Sequence, residues 1–176
     1  MEIPFTFSRT QAGITPFLFT VVIAPMVEEF TKPLALHLKS VKNNLDELED
    51  GLIYGAVAGL GFSATENLLY GYSFLSEGFL LFLMLMAIRS FGGCLLHASA
   101  TALTGYGYGK AVMKHTSVIR VLPYFILAIF LHGFYNFLLS YEFVGVVSGL
   151  VLAFVFVLIA ITLIRKKIRI LDEKTC

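Results

Sequence analysis

The chain has the length of a single domain, 176 residues, of which 57% are hydrophobic and only 14% charged, against roughly 25% charged in a soluble domain. A net charge of +1, with no basic stripe interleaved with aromatics, gives no reason to expect a nucleic-acid partner. The two cysteines, Cys94 and Cys176, provide neither a disulfide framework nor a Cys-x-x-Cys zinc knuckle.

Charged residues crowd into 39–50, 110–120 and 165–174, and long apolar runs fill the gaps. With a mean hydropathy of +0.82, this is the pattern of membrane spans joined by short loops. The expected fold is an all-α, polytopic membrane helix bundle, one domain over 1–176, without linker or repeat. The opening MEIPFTFSRTQAG has no basic region leading into an apolar core and a cleavage site, so no removable signal peptide is expected.

Crossing ~30 Å of hydrocarbon takes about 20 mostly apolar residues, and about five segments meet that need. The first, from near Gly13 to Leu38, contains Glu28-Glu29-Phe30-Thr31-Lys32. On a helix Lys32 follows Glu28 by four residues and Glu29 by three, so it reaches either carboxylate. One acid with one lysine would read as a structural ion pair. Two acids leave one unanswered in a medium hostile to charge, which points to function.

The second segment, Gly51 to Tyr72, holds Phe62-x-x-x-Glu66-Asn67, with Gly55, Gly59 and Gly61 upstream as small residues that allow close helix packing. A lone glutamate here fits a backbone hydrogen bond as well as it fits chemistry. The third, Phe79 to about Tyr108, carries His97 with Thr101 one turn on, and Gly92-Gly93 is where a bend is expected. The fourth, Val121 to Tyr141, contains His132-Gly133-Phe134-Tyr135-Asn136, whose i, i+4 spacing lets Asn136 orient the imidazole or face the same ligand. The fifth, Phe143 to Ile164, has no charge and reads as an anchor. Arg89, His37 and His115 carry no assigned role, Arg89 being expected to snorkel or to pair with a carboxylate. Residues 42–50 read as a solvated helix extension.

Lys39 and Lys42 follow the first segment, Lys110, Lys114 and Arg120 the third, and Arg165-Lys166-Lys167-x-Arg169 the fifth. The loops around Ser76-Glu77 and Tyr141-Glu142 hold no basic residue. The positive-inside rule then gives an outside N-terminus and a cytoplasmic C-terminus, with Arg9 discordant. Counting rise along the helices, Glu28 lies about 15 Å in from that side, and His97 and His132 about 16 Å. Glu66 falls about 22 Å in and fits the shared plane less well.

A carboxylate and histidines in a protected cavity suit activation of water for attack on a carbonyl, with Asn or His stabilising the oxyanion. The same groups suit zinc. No serine lies in a nucleophile-elbow setting, and no His-Glu-x-x-His is present. Carboxylate-activated hydrolysis, metal-assisted hydrolysis and proton or ion movement all remain open.

At Ala24-Pro25-Met26-Val27-Glu28-Glu29-Phe30-Thr31-Lys32, Glu49 to Gly55, Gly61-Phe62-Ser63-Ala64-Thr65-Glu66-Asn67, His97 and His132-x-x-x-Asn136, the chain resembles the PrsW family of intramembrane proteases. That family is similar in turn to the CAAX prenyl endopeptidases. The resemblance implies an integral protein of a prokaryotic cell membrane that cleaves a membrane-anchored protein substrate, which can be an anti-sigma factor in bacterial members. It implies catalytic roles for Glu28, Glu29, His97 and His132, with Lys32, Glu66, Asn67 and Asn136 supporting. CAAX enzymes have histidine in place of Glu66, which argues against prenylated substrates. The chain is short for the family, which implies that amino-terminal spans are lacking. The family has been classed both as metallopeptidase and as glutamic-type. No cofactor is the favoured reading; zinc, if held, would take Glu28, Glu66, His97 and His132. A relative of the fold, the Aph subunit of gamma-secretase, gives the rival reading of a non-enzymatic scaffold.

Overall fold

A computed structural model describes residues 14–140 and 146–175. Arg9, the Tyr141-Glu142 loop, the Phe143 start of the fifth segment and Cys176 lie outside the described residues. Every described element is helical: α1 (Ile14–His37), α2 (Lys39–Lys42), α3 (Leu48–Leu75), α4 (Phe79–Met113), α5 (Val118–Ser140) and α6 (Val146–Thr175). Three of them, α1, α4 and α5, are long and apolar enough to cross a membrane. Their outward faces carry exposed Phe19, Phe30, Leu81, Phe91 and Phe130, side chains at home against lipid and not against water.

Helix α1 is irregular, and its two prolines explain where. Its stretch Phe19–Ile23 is π-helical, and the Ala24 amide bonds the Phe19 carbonyl, five residues back. In that register the carbonyl of Thr20 would accept from residue 25, which is proline and has no N–H. The side chain of Asn136 in α5 supplies the missing donor, its Nδ2 lying 3.0 Å from the Thr20 oxygen. Beside it Gly133 lets α5 close on the same turn: a Cβ there would stand 2.5 Å from the Val21 oxygen. After Thr31 the helix tightens to 3-10 over Lys32–His37, with Pro33 at its second position.

Residues 42–50 are not a helix extension. Helix α2 ends at Lys42, and α3 starts at Leu48 behind a capping box. Asp50 accepts from the Glu47 amide at 2.8 Å, and the Glu47 side chain answers the Asp50 amide. The acids that suggested a solvated helix satisfy the orphan donors of a helix start.

Helices α3 and α4 pack antiparallel along a glycine seam. A Cβ at Gly51 would stand 2.6 Å from the Gly105 carbonyl oxygen, and one at Gly55 2.6 Å from that of Thr101. Gly59 meets the His97 backbone in the same way. Each four-residue step up α3 thus matches four residues down α4. Gly61, expected at this interface, has nothing within 4 Å of its Cβ position; two residues past Gly59 it faces another side of the helix. In α4 the irregularity expected at Gly92-Gly93 is a π-helical segment, Arg89–Gly93.

Helix α6 closes the bundle. Ala153 and Val157 pack on Leu96, Tyr135 and Leu138, and Ile164 and Leu171 pack on Leu52 and Ala102. Leu36, Leu45 and Tyr108 join with Val41, Val112 and Val121, so Lys39, Lys42, Lys110, Lys114 and Arg120 gather at one end of the molecule.

Candidate active site

One turn beyond its π-helical segment, α1 turns Glu29 and Lys32 into the bundle, where both are buried. Glu29 has three donors. Lys32 Nζ donates to its Oε1 at 2.6 Å, His132 Nδ1 to the same oxygen at 3.0 Å, and Thr101 Oγ1 to Oε2 at 3.1 Å. Three helices, α1, α4 and α5, thus meet on one carboxylate group. A charge taken out of water demands this degree of pairing.

Glu28 is different. Its side chain is 18% exposed against 0% for Glu29. Lys32 Nζ approaches Glu28 Oε2 at 3.3 Å, an ion-pair distance without hydrogen-bond geometry, and this buried oxygen has no hydrogen-bond partner. His132 Nε2 lies 3.7 Å from it and His97 Nδ1 3.9 Å.

The partners of the histidines assign their tautomers. Lys32 donates to His97 Nδ1 at 2.7 Å, so His97 carries its proton on Nε2 and gives it to Glu66 Oε2 at 3.1 Å. His132 gives its Nδ1 proton to Glu29, leaving an Nε2 lone pair turned toward Glu28. The two imidazoles stand edge to face, 4.8 Å between centroids. Phe62 covers them from α3, 6.0 Å from the His97 ring and 4.8 Å from Lys32 Nζ.

Glu66 therefore belongs to the cluster, despite the depth count that set it apart. Side chains lean toward the N-terminus of their own helix. In an antiparallel pair Glu66 and His97 lean toward each other, which closes an offset that counting rise between backbones overstates. Arg89, left without a role by the sequence, is part of the same network. Its Nη2 donates to Glu66 Oε2 at 3.1 Å, its Nε to Asn67 Oδ1 at 2.7 Å, and its guanidinium lies 3.8 Å from the Tyr70 ring centroid. Asn67 sits one shell out, holding Arg89 and donating to Cys94 Sγ at 3.4 Å.

Asn136 is not in the cluster. The sequence expected it either to orient the His132 imidazole or to face the same ligand, but its amide is committed to the Thr20 carbonyl, and Glu29 orients the ring. Thr101 was noted in the sequence only as lying one turn beyond His97; its bond to Glu29 was not expected, because a threonine in an apolar run carries no signal of its own.

Glu28, His97 and His132 each offer one ligand atom, all within 4.8 Å of one another. Two imidazoles and a carboxylate are a donor set that zinc takes in hydrolytic sites. The unpartnered Glu28 oxygen and the free His132 lone pair fit such an ion. The backing of each imidazole by a second carboxylate, Glu66 and Glu29, is the usual support of a metal-bound histidine. His97 Nδ1 is already engaged by Lys32, which an ion would have to displace. The sequence put Glu66 in the ligand set as well, but it lies outside the group of Glu28, His97 and His132, and its Oε2 serves Arg89 and His97.

Comparison with known proteins gives two matches. A family described as PrsW family intramembrane metalloprotease matches residues 4–162. Protease PrsW of Geobacillus kaustophilus (strain HTA426) is 32% identical over 143 residues, 79% of this chain, and the chain spans only 60% of that relative's length. No solved structure matches the chain. The family match runs from ahead of α1 into α6 and takes in every residue of the buried cluster, and on it the chain belongs to the PrsW family of intramembrane metalloproteases.

Proposed function

We propose that the chain is an intramembrane endopeptidase that hydrolyses a peptide bond of a membrane-anchored protein, with Glu28 activating the water. The observation that carries this reading is the contrast between the two adjacent acids. Glu29 is saturated by three donors, whereas Glu28 keeps a buried oxygen with no hydrogen-bond partner, facing the His132 lone pair. Two acceptors turned toward each other call for a shared proton donor, and water is the donor that hydrolysis needs.

Glu28 takes a proton from that water as its oxygen attacks the scissile carbonyl carbon. The resulting carboxylic acid returns the proton to the amide nitrogen as the C–N bond breaks. The Lys32 ammonium, fixed by Glu29, places positive charge beside the developing oxyanion. His97, held by Glu66 and through it by Arg89, keeps Lys32 in place. A bound divalent ion would be held by Glu28, His97 and His132 and would supply polarisation of the carbonyl and activation of water. The Lys32–His97 contact favours the carboxylate route, and chelators are expected to leave cleavage intact. Loss on chelation with rescue by zinc would replace it with the metal route.

For topology we favour five spans in a prokaryotic cell membrane, N-terminus outside and C-terminus cytoplasmic. Helices α3 and α6, of 28 and 30 residues, are about 42 and 45 Å long by rise alone. The gathering of basic residues at one end supports that end as the cytoplasmic one.

The test is cleavage of a panel of single-span reporter proteins in proteoliposomes. Glu28→Gln is expected to lower the rate by at least about a hundredfold while the variant remains folded and extractable. Full activity in that variant would remove Glu28 from the chemistry. Absence of cleavage by either protein, with both retaining one common membrane partner, would favour a scaffold.

A further inference from the structure

At the basic end of the bundle, away from the buried cluster, three helices bring cations and aromatic rings together without acids. Tyr106 of α4 and Tyr124 of α5 stand edge to face, 5.4 Å between centroids. Lys110, one turn after Tyr106, lies 5.8 Å from the Tyr106 centroid and 6.0 Å from that of Tyr124. It donates to the Tyr124 hydroxyl at 3.4 Å. Lys167 of α6 reaches the same Tyr106 ring at 5.1 Å.

Among the described residues the ion-paired lysines and arginines are answered by carboxylates: Lys32 by Glu28 and Glu29, Arg89 by Glu66, Arg169 by Glu173. Among the described residues no carboxylate stands within ion-pair distance of Lys110 or Lys167. Two ammonium groups held on one ring repel each other, and an anion between helices α4, α5 and α6 would remove that repulsion. The Tyr124 oxygen already accepts from Lys110, so its own proton is free to donate to the same anion.

We propose that Lys110, Tyr124 and Lys167, framed by Tyr106, bind the phosphate of an anionic phospholipid headgroup. A phosphate diester offers only acceptors, which suits two ammonium groups and a hydroxyl whose acceptor side Lys110 already occupies. The depth fits as well, since tyrosines and lysines near helix ends lie where hydrocarbon gives way to headgroups. One turn toward the apolar zone from Tyr124 and Lys167 lie Leu127 and Leu163, both exposed. They offer acyl chains a surface directly below the donors, which selects a lipid over free phosphate.

The experiment is a native mass spectrometry titration of the full chain with phosphatidylglycerol and with phosphatidylcholine of the same acyl chains. The expected result is retention of phosphatidylglycerol at a concentration at least about tenfold lower. Lys110→Gln/Lys167→Gln should lose that preference. Arg165→Gln/Lys166→Gln, which removes the same charge from neighbouring exposed positions, should keep it. Tyr124→Phe, which preserves the ring, should weaken it several-fold. Circular dichroism checks that each variant keeps its helix content. Equal binding of both lipids by the wild type, or equal losses in the two double variants, would overturn the site in favour of diffuse surface attraction. Displacement of the lipid by soluble glycerol phosphate at comparable concentration would overturn the lipid as its ligand.

Discussion

Because Glu29 answers Lys32, His132 and Thr101 at once, Glu29→Ala takes its shortest carboxylate contact from the buried Lys32 ammonium and leaves the His132 Nδ1 proton and the Thr101 hydroxyl without this acceptor. Such a loss typically costs about 3–5 kcal/mol. We expect a correspondingly large drop in the thermal midpoint of the detergent-solubilised protein, with Glu28→Ala costing far less. Equal losses would mean that the two acids share the structural load. Asn136 provides a second contrast. Asn136→Leu should cost about 1–3 kcal/mol by orphaning the Thr20 carbonyl, and Asn136→Asp, which in its ionised form has no donor to give, should be no better above its pKa. Unfolding that leaves Asn136→Asp as stable as wild type would place the amide elsewhere. Much of this cluster was legible in the sequence, because an ionisable residue in a span is costly enough to need a reason. Glu28, Glu29, Lys32, His97 and His132 stood out on that ground. What they touch did not, since Arg89 could equally snorkel and Thr101 reads as one more small residue of an apolar helix.

At the scale of helices, the four-residue glycine spacing announced a packing face but not its partner. The partner is α4, whose Thr101 and Gly105 receive Gly55 and Gly51. Gly59→Val is expected to force α3 off the His97 backbone, separating Glu66 from His97 and removing both stability and cleavage. Gly61→Ala, with open space at its Cβ position, should leave both unchanged. Tryptic susceptibility of α3 in micelles together with the reporter assay would separate these outcomes, and sensitivity of Gly61→Ala would contradict the assigned face. The π-helical segments were illegible in detail, because the apolar pattern runs through them unbroken. Only the prolines and the Gly92-Gly93 pair marked their neighbourhoods. The start of α3 was misread because acids at a helix N-terminus and acids on a solvated helix have the same composition. The capping spacing from Glu47 to Asp50 was the signal that tells them apart.

In the whole molecule, polarity is divided between two places that do not touch. Inside, three carboxylates, two imidazoles, one ammonium and one guanidinium form a network closed except at Glu28. At the basic end Lys110, Tyr124 and Lys167 of α4, α5 and α6 gather around Tyr106, and among the described residues no carboxylate lies within ion-pair distance of either lysine. The class of fold followed from composition alone, since a chain this apolar has few ways to satisfy its backbone in lipid other than helices. The way the helices are ordered in space did not follow, because the contacts that set it join residues far apart in sequence.

That distance has a consequence for how the protein is made. Glu29 and His132 are separated by 103 residues, and a ribosome needs roughly 5 to 20 s to cover them. Until His97 and Thr101 follow, α1 has only Lys32 to set against two acids, and the imidazole that completes the cluster comes last. On the proposed topology, stable residence of α1 in the bilayer is expected to wait for α5. A nascent chain stopped before His132 should leave α1 open to carbonate extraction, and one stopped after Ser140 should hold it in the bilayer.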